Sequence, residues 1–252
     1  GEIYASILHD INGPLTVISG FVQLMNQRFG SSNRLEQQDV EFLKDRLKII
    51  TRQITNCIEI SRRYLGFLRK QSDEAPRVGV NQLLADLQHL TNVHPSLQHN
   101  SFTIQPLAED IGVKMNGTDL IQVLLNLTVN GFQSSTKPHD VSIRGTVLHE
   151  PLDLTSFHDN SEERFLNVEN FENTTPLLQI SVADTGPGIP AEVLPRIFQP
   201  YFTTKGSIQG TGLGLNIVQR LIKEAKGALH VRTRKDEGTV FSVYLPAARL
   251  MR

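Results

Sequence analysis

The sequence predicts a fold of the class α plus α+β, in which a helical hairpin is followed by an α/β two-layer sandwich. Two observations predict this division. Apolar residues within 1–72 recur in steps of three and four, which is the spacing of amphipathic helices. Beyond a hinge near 72–78, apolar helical stretches are mixed with short runs that alternate apolar and polar residues, which is typical of strands in a half-buried sheet.

The composition excludes several classes of protein. The chain has 252 residues, with 25 Lys and Arg, 26 Asp and Glu, and a formal net charge of −1. This balance argues against a nucleic-acid-binding protein with a broad basic surface. The single cysteine, Cys57, cannot form an intramolecular disulfide. No apolar run reaches the length of about 18 residues that a membrane-spanning helix needs.

The first part is predicted to be a hairpin of two helices with a polar break around Gly30. The first helix has apolar residues at Ile3, Ile7, Ile11, Leu15, Ile18, Val22 and Met25. The second has a heptad seam formed by Val40, Leu43, Leu47, Ile50, Ile54, Cys57, Ser61, Tyr64 and Leu68. Two helices cannot bury apolar faces this wide alone, so we expect a dimeric four-helix bundle. The alternative is a monomeric hairpin that lies on the second domain.

The second part is predicted to combine three helices with a mostly antiparallel sheet. Helices are expected at 81–93, 118–134 and 211–225, and strands at 102–105, 112–115, 141–148, 177–183, 229–233 and 240–245. Thr118 or Asp119 is expected to cap the second of these helices, and the third is expected to end at Gly227. The acidic segment 150–176 has no clear period and is predicted to be a mobile insertion between two strands.

A histidine followed by a carboxylate, His9 and Asp10, lies in the first predicted helix. An imidazole is both nucleophilic and protonatable near neutral pH, and an adjacent carboxylate can orient the ring and accept its proton. Gly13 and Pro14 weaken the helix one turn later, which suits a helix that bends. The alternative is a surface His–Asp pair beside an incidental kink.

Two asparagines, Asn126 and Asn130, share one face of a predicted helix that is otherwise apolar. Buried amides need hydrogen-bonding partners. A ligand together with a hard cation would supply them, since Mg²⁺ prefers oxygen ligands. The alternative is that both amides cap neighbouring loops.

Two glycine-rich segments lie next to predicted elements, one after a strand and the other before the last helix. Asp184 ends a predicted strand and opens the segment 184–190, whose glycines allow a sharp turn and the close approach of a ligand; the alternative is a plain Gly-Pro turn. The segment 210–215 opens the last predicted helix, where backbone N–H groups can bind phosphate oxygens, and Lys205 would add a positive charge. The glycine spacing is neither that of a P-loop nor that of a Rossmann fold.

In combination these segments resemble the transmitter core of a sensor histidine kinase. His9 with Asp10 and Pro14 is similar to the H box, and Asn126 with Asn130 to the N box. The G1, F and G2 boxes are matched by 184–190, 197–205 and 210–215, and 238–246 is similar to the family's last hairpin. The resemblance implies a HisKA-type dimerisation and histidine-phosphotransfer domain at 1–72. It also implies a catalytic HATPase_c domain at 78–252 with the GHKL (Bergerat) α/β sandwich.

The resemblance also implies roles for individual residues. His9 is the implied phosphoacceptor and Asp10 its base, while Asn130 is the implied Mg²⁺ ligand. Asp184 is implied to bind the adenine amino group. The other residues implied to contact the nucleotide are Asn126 near the phosphates, Gly186 and Gly188 in the adenine pocket, Lys205, Gly212, Leu213 and Gly214 in the lid over the triphosphate, and Thr239 at the adenine end.

By this resemblance the chain is an ATP-dependent protein-histidine kinase of a two-component system, with ATP and Mg²⁺ as its cofactors. The phosphoryl group would pass from His9 to an aspartate on a separate response-regulator receiver domain. The implied partners are a second copy of this chain and that regulator, with no nucleic acid. We expect a cytoplasmic fragment of a longer protein, because the chain begins without methionine and needs ATP and a regulator. The parent protein is either soluble or anchored in the inner membrane through segments absent from this chain.

Two positions depart from the family's pattern. Gly13 stands where many relatives have Thr or Asn, which can position a water molecule for dephosphorylation of the regulator, so weak phosphatase activity is predicted. Gln133 stands where many relatives have Lys, so the charge beside the phosphates is expected to come from Lys205.

Two other classes of function stay open at this point. One is a catalytically silent, nucleotide-binding dimeric scaffold for signalling, and the presence of His9, Asp10, Asn130 and Asp184 argues against it. The other is an ATPase similar to gyrase or mismatch-repair proteins. The H-box helix and the heptad seam of the second helix argue against that class.

Overall fold

The computed structural model describes residues 2–30, 35–68, 79–92, 100–200, 202 and 214–250. The chain divides into two compact units. The first contains the described residues up to Leu68, and the second contains those from Gly79 onward. Among the described residues, no helix has both the length and the apolar character needed to cross a bilayer.

The first unit is a hairpin of two long helices, α1 (Glu2–Phe29) and α2 (Gln37–Leu68). Helix α1 continues through Pro14. Near the turn, Arg28 forms an ion pair with Asp39 at 2.9 Å, and its guanidinium lies 4.5 Å from the ring centre of Phe42. Phe42 also packs 6.2 Å from Phe29. These contacts join the C-terminal end of α1 to the N-terminal end of α2.

Part of the hairpin's apolar surface is exposed, as judged from the residues that the structure describes. Ile50 is buried in the hairpin, whereas Leu47 is 52% exposed and Ile54 is 47% exposed. Apart from Leu35, the large exposed apolar residues among the described residues of the hairpin occur one heptad apart in three stripes: Leu15 and Val22, Val17 and Leu24, and Val40, Leu47 and Ile54. The heptad pattern of α2 therefore divides between residues that pack inside the hairpin and residues that face outward.

The second unit is an α/β sandwich, as predicted. Its helices are α3 (Val80–Asn92), α4 (Gly117–Phe132) and α5 (Gly214–Glu224). Its strands are β1 (Ser101–Gln105), β2 (Gly112–Val113), β3 (Asp140–Leu148), β4 (Glu163–Leu166), β5 (Leu177–Asp184), β6 (Ala228–Arg234) and β7 (Gly238–Ala248). They form one sheet in the order β1-β3-β5-β7-β6-β4, and β2 pairs with β7. The pair β1–β3 is parallel and the other pairs are antiparallel.

The core lies between the helices and one face of the sheet. Alternate residues of β5 point into it, so Leu178, Ile180 and Val182 are buried. Helix α4 contributes Leu120, Leu124 and Leu127, which are also buried, and α5 contributes Val218 and Ile222. Burial of this apolar surface stabilises the helix positions by roughly 1.5–3 kcal/mol for each large side chain.

Two helix ends differ from the sequence prediction. The N-cap of α4 is Asn116 rather than Thr118 or Asp119, because Asn116 has an extended backbone and its side chain accepts the Thr118 N–H. At the end of α5, the left-handed residue is Lys226, with φ 54°, rather than Gly227. Gly227 is needed for another reason, since a β-carbon there would lie 2.6 Å from the Tyr244 carbonyl oxygen.

The acidic segment 150–176 lies between β3 and β5, as predicted for an insertion between two strands, but it contains regular structure that the sequence did not predict. Strand β4 lies within it and pairs with β6, matching Phe165 with His230. Phe157 stacks on Phe165 at 4.3 Å and packs edge-on against His230 at 4.9 Å. The segment therefore extends the sheet by one strand and covers part of its outer face with aromatic rings.

Candidate functional site

Helix α4 carries the two predicted asparagines on the side that faces the start of α5. A β-carbon on Gly214, the first residue of α5, would lie 3.8 Å from Asn126 Oδ1 and 3.9 Å from Asn130 Nδ2. The structure therefore brings Asn126, Asn130 and Gly214 together, as predicted for one end of a ligand site.

The amide of Asn126 has an unsatisfied donor. Its Nδ2 atom is buried and has no hydrogen-bond partner among the described residues. A buried donor without a partner costs about 1–3 kcal/mol. A ligand with acceptor oxygens would remove this cost, which is the main structural observation in favour of a polar ligand beside α4.

Asp184 lies at the C-terminal end of β5, beside the C-terminal end of α4. Its Oδ1 accepts the Gly186 N–H at 2.8 Å and the Ser134 hydroxyl at 3.3 Å. Burial raises the pKa of the Asp184 carboxyl, and these two hydrogen bonds and the charge of His139 act in the opposite direction. A buried carboxylate with a polar environment can bind a donor group of a ligand.

Close backbone packing explains the glycines of the turn that follows Asp184. A β-carbon on Gly186 would collide with Ser134 Oγ, and one on Gly188 would collide with the Arg234 carbonyl. Gly188 has φ 77°, and Gly238, which approaches the Asp184 carbonyl, has φ 108°. Both values lie in the left-handed region, which glycine adopts without steric cost.

Thr239 lies next to Asp184, since the two residues pair in the β5–β7 ladder. Its hydroxyl lies 3.0 Å from that of Thr233, and Thr233 Oγ1 also accepts the Ile189 N–H at 2.8 Å. Thr239 therefore supports the turn after Asp184 through Thr233. The backbone N–H of Thr239 also forms a hydrogen bond with the Asp184 carboxyl and lowers its pKa.

The two groups of predicted residues form one continuous site along α4. Gly131 joins them, because a β-carbon there would lie 3.5 Å from the Asp184 β-carbon. Three residues of this site carried no signal in the sequence: Ser134, His139 and Thr233. Their contacts run between loops or strands that are distant in sequence, so no local spacing reveals them.

Other predicted residues are described less fully or lie outside the described residues. His9 and Asp10 lie in α1, and the description covers only their helical backbone. Lys205, Gly212 and Leu213 lie outside the described residues. Within the described ranges, no three His, Cys, Asp or Glu side chains form a group able to hold a metal.

Comparisons of sequence match most of the second unit to one family. The model of the family "Histidine kinase-, DNA gyrase B-, and HSP90-like ATPase" matches residues 115–249, just over half of the chain. The chain is 27% identical over 247 residues to the signal transduction histidine-protein kinase AtoS of Escherichia coli and 29% identical over 248 residues to the sensor protein kinase PilS of Pseudomonas aeruginosa. These matches cover 98% and 96% of this chain but only 34% and 40% of AtoS and PilS.

Solved structures share the fold. The catalytic domain of histidine kinase ThkA in a nucleotide-free form matches 67% of this chain and 93% of that domain, with a TM-score of 0.50 and 25% identity. Full-length ShkA in complex with AMPPNP matches 98% of this chain and 46% of that protein, with a TM-score of 0.54 and 21% identity. The sandwich, the asparagine-bearing helix and the family match lead to one assignment: the chain belongs to the family of histidine kinase-, DNA gyrase B- and HSP90-like ATPases.

Proposed function

We propose that this chain is the kinase core of a two-component sensor histidine kinase, which phosphorylates His9 with ATP and passes the phosphoryl group to an aspartate of a response regulator. The observation that carries the proposal is the polar site along α4, where the buried Nδ2 of Asn126 has no hydrogen-bond partner among the described residues and Asp184 is a partly buried carboxylate. Nearly the whole of this chain is similar to part of two named histidine kinases, which supports the same function.

The two ends of the site suit the two ends of ATP. Asp184 would accept a hydrogen bond from the adenine amino group, and Asn126 would donate to phosphate oxygens. Asn130 would contribute an amide oxygen to Mg²⁺, with Lys205 and the segment 212–214 over the triphosphate. When bound, Mg²⁺ would neutralise part of the phosphate charge, which is the main requirement for phosphoryl transfer.

His9 is the proposed nucleophile. Its Nε2 atom would form a bond to the γ-phosphorus while the bond from that phosphorus to the β–γ bridging oxygen breaks, and ADP leaves with the electron pair. Asp10 would orient the ring and accept the proton from Nδ1. In the second reaction, a carboxylate oxygen of the regulator would attack the same phosphorus, and the P–N bond to His9 would break.

We propose that the helical hairpin forms a homodimeric four-helix bundle. The stripes that contain Leu15, Val22, Leu47 and Ile54 support this arrangement, because each stripe keeps heptad spacing and is exposed within one chain. A second copy of the hairpin would cover them. This proposal assigns dimerisation and phosphotransfer to 1–72 and nucleotide binding to 78–252, in the cytoplasm where ATP and receiver domains are found.

The proposed phosphatase activity of this core is weak. Gly13 is exposed on α1, and a β-carbon there would meet nothing within 4 Å. The position therefore has room for the Thr or Asn of other family members but no side chain to position water. If the wild-type chain rapidly removes phosphate from a receiver domain that it has phosphorylated, this part of the proposal is wrong.

The kinase proposal is tested by incubation of the full chain with γ-labelled ATP and Mg²⁺. We expect label that is acid-labile and alkali-stable in the wild-type chain and absent from His9→Gln and Asn130→Asp. His149→Gln is the matched control, because His149 is exposed and its only described contact is a 3.7 Å ion pair with Glu109. Its labelling should equal that of the wild type.

The same experiment separates the two alternative functions. Turnover of ATP without label on the protein would indicate an ATPase similar to gyrase or mismatch-repair proteins. Binding of ATP with neither turnover nor label would indicate a silent dimeric scaffold. Either result would contradict the proposed kinase activity.

A further inference from the structure

Two side chains that are absent from the predicted nucleotide-binding residues connect Asp184 to the end of α4. Ser134 Oγ lies 3.3 Å from Asp184 Oδ1 and 3.1 Å from His139 Nε2. The same nitrogen of His139 lies 2.7 Å from the Gly131 carbonyl oxygen. A chain of polar contacts therefore runs from the candidate adenine-binding carboxylate to the helix that carries the two asparagines.

The direction of these hydrogen bonds follows from their chemistry. A carbonyl oxygen can only accept, so the Nε2 atom of His139 must carry a proton to contact Gly131. That N–H also faces Ser134 Oγ, which can accept from it. The single hydroxyl proton of Ser134 is then available for Asp184, and the contact with His139 favours this orientation.

The loop that contains Ser134 and His139 is held in place independently of the carboxylate. Asn100 accepts the His139 backbone N–H at 3.2 Å and donates to the Phe132 carbonyl at 3.3 Å. His139 Nδ1 lies 2.9 Å from the Lys137 carbonyl oxygen. Ser134 is thus presented to Asp184 by a loop with its own supporting contacts.

Two of the donors that reach the Asp184 carboxyl contact the same oxygen, and the backbone N–H of Thr239 also forms a hydrogen bond with this carboxyl. The Gly186 N–H lies 2.8 Å from Oδ1, and Ser134 Oγ contacts Oδ1 as well. Ser134 Oγ also occupies the space above Gly186, where a β-carbon would collide with it. Because two donors hold Oδ1, a donor from a ligand is expected to bind Oδ2.

We propose that Ser134 and His139 are positioning residues that select a purine with an exocyclic amino group, by holding Asp184 Oδ1 so that Oδ2 accepts from that group. This inference rests on the proposed function, because it assumes a purine nucleoside triphosphate at Asp184. A purine with a carbonyl in place of the amine presents an acceptor to Asp184 and is disfavoured, since a buried polar group is then left unpaired.

The same contacts favour the charged form of Asp184. Burial raises the pKa of this carboxyl, while the Ser134 hydroxyl and the charge of His139 lower it. Removal of the Ser134 hydroxyl should therefore raise the pKa of Asp184, so that nucleotide affinity is lost at a higher pH as the solution is made acidic.

The test compares Ser134→Ala with Ser135→Ala in the full chain. Ser135 lies in the same loop, and its Oγ accepts the Lys137 N–H at 3.0 Å. Binding of ATP and of inosine triphosphate, which has an oxygen in place of the amino group, is measured by calorimetry at several pH values. Thermal unfolding of each variant checks that the fold is retained.

We expect Ser134→Ala to weaken ATP binding about tenfold, or about 1.4 kcal/mol, with a much smaller change for inosine triphosphate. His139→Ala should reduce the preference for ATP in the same direction, and Ser135→Ala should leave it unchanged. Equal losses for both nucleotides, or no loss in Ser134→Ala while the wild type prefers ATP, would overturn the inference alone. Failure of the wild-type chain to bind either nucleotide would overturn the proposed function as well.

Discussion

The hydroxyl groups of Thr233 and Thr239 lie 3.0 Å apart in the interior of the β6–β7 hairpin. Both residues are buried, and Thr233 Oγ1 also accepts the backbone N–H of Ile189 at 2.8 Å. One hydroxyl therefore holds the strand that pairs with Asp184 and the turn that follows Asp184. The geometry of the candidate adenine pocket therefore depends on Thr233, a residue that is distant from Asp184 in the sequence.

Thr233→Val should destabilise the second unit and weaken ATP binding together. Valine keeps the shape of threonine but leaves the Ile189 N–H unpaired, which costs about 1–3 kcal/mol. Chemical denaturation and calorimetry measure the two effects. Thr233→Ser is the matched control, since it keeps the hydroxyl and should retain most of the nucleotide affinity. Equal ATP affinity in the Val and Ser variants would contradict this role.

Asp184→Asn should abolish ATP binding and stabilise the chain in the absence of nucleotide. Burial raises the pKa of Asp184 above its ordinary value of 3.8, so the folded state binds the proton more tightly than the unfolded state does. The stability contributed by the protonated group is fully present below pH 3.8 and is lost as the pH rises through the folded pKa. Asparagine removes this loss.

The Asp184→Asn prediction is measured as the unfolding midpoint from acidic to neutral pH. The unfolding midpoint of Asp184→Asn should be higher than that of the wild type near neutral pH. The difference should vanish in acid, where both side chains are uncharged. A variant that is less stable than the wild type near neutral pH would show that the carboxylate is held by stronger contacts than the hydrogen bonds described here.

Leu47→Glu should convert the proposed dimer into a monomer. Leu47 is 52% exposed in one chain and belongs to the stripe that also contains Val40 and Ile54, so a charge there would be buried without a partner in a four-helix bundle. Sedimentation equilibrium measures the change. Lys48→Glu is the matched control, because Lys48 is an exposed neighbour with only a 3.7 Å ion pair to Asp45. If Leu47→Glu stays dimeric, the outward stripe is not the interface.

Phe157→Ala should raise the pKa of His230. Burial lowers the pKa of this histidine, and Phe157 is the ring that packs against it at 4.9 Å. The folded state favours the neutral form of His230. The free energy of unfolding that this preference contributes is therefore fully present above about pH 6.5 and is lost as the pH falls toward the lowered pKa. Titration of His230 by NMR should give a higher pKa in Phe157→Ala than in Phe157→Leu, which keeps an apolar cover.

Much of the sandwich could be predicted from periodicity alone. Helix α4 was expected at 118–134 and occurs at Gly117–Phe132, because its apolar spacing matches burial against the sheet on one side. Its cap could not be assigned as easily. Asn116, Thr118 and Asp119 are all suitable capping residues, and only the extended backbone at Asn116 decides among them.

Some residues of the candidate site could also be predicted from the sequence, and others could not. Asn126, Asn130 and Asp184 were predicted because their residue types and spacing carry chemical information within short segments. Ser134 and His139 were missed because a serine or histidine in a loop has no periodic signal. Strand β4 was missed as well, since four residues are too few to show alternation and their pairing with β6 depends on a segment distant in sequence.

Strand β4 also determines which part of the sheet is open to solvent. It pairs with Leu229–Arg232 of β6 and carries Glu163 and Arg164. A short, charged outer strand resists pairing with the strand of another molecule, whereas β6 alternates buried residues such as Leu229 and Val231 with outward side chains. The acidic insertion thus protects the protein from edge-to-edge aggregation, and a shortened chain that lacks 150–176 would expose a longer and more apolar border for self-association.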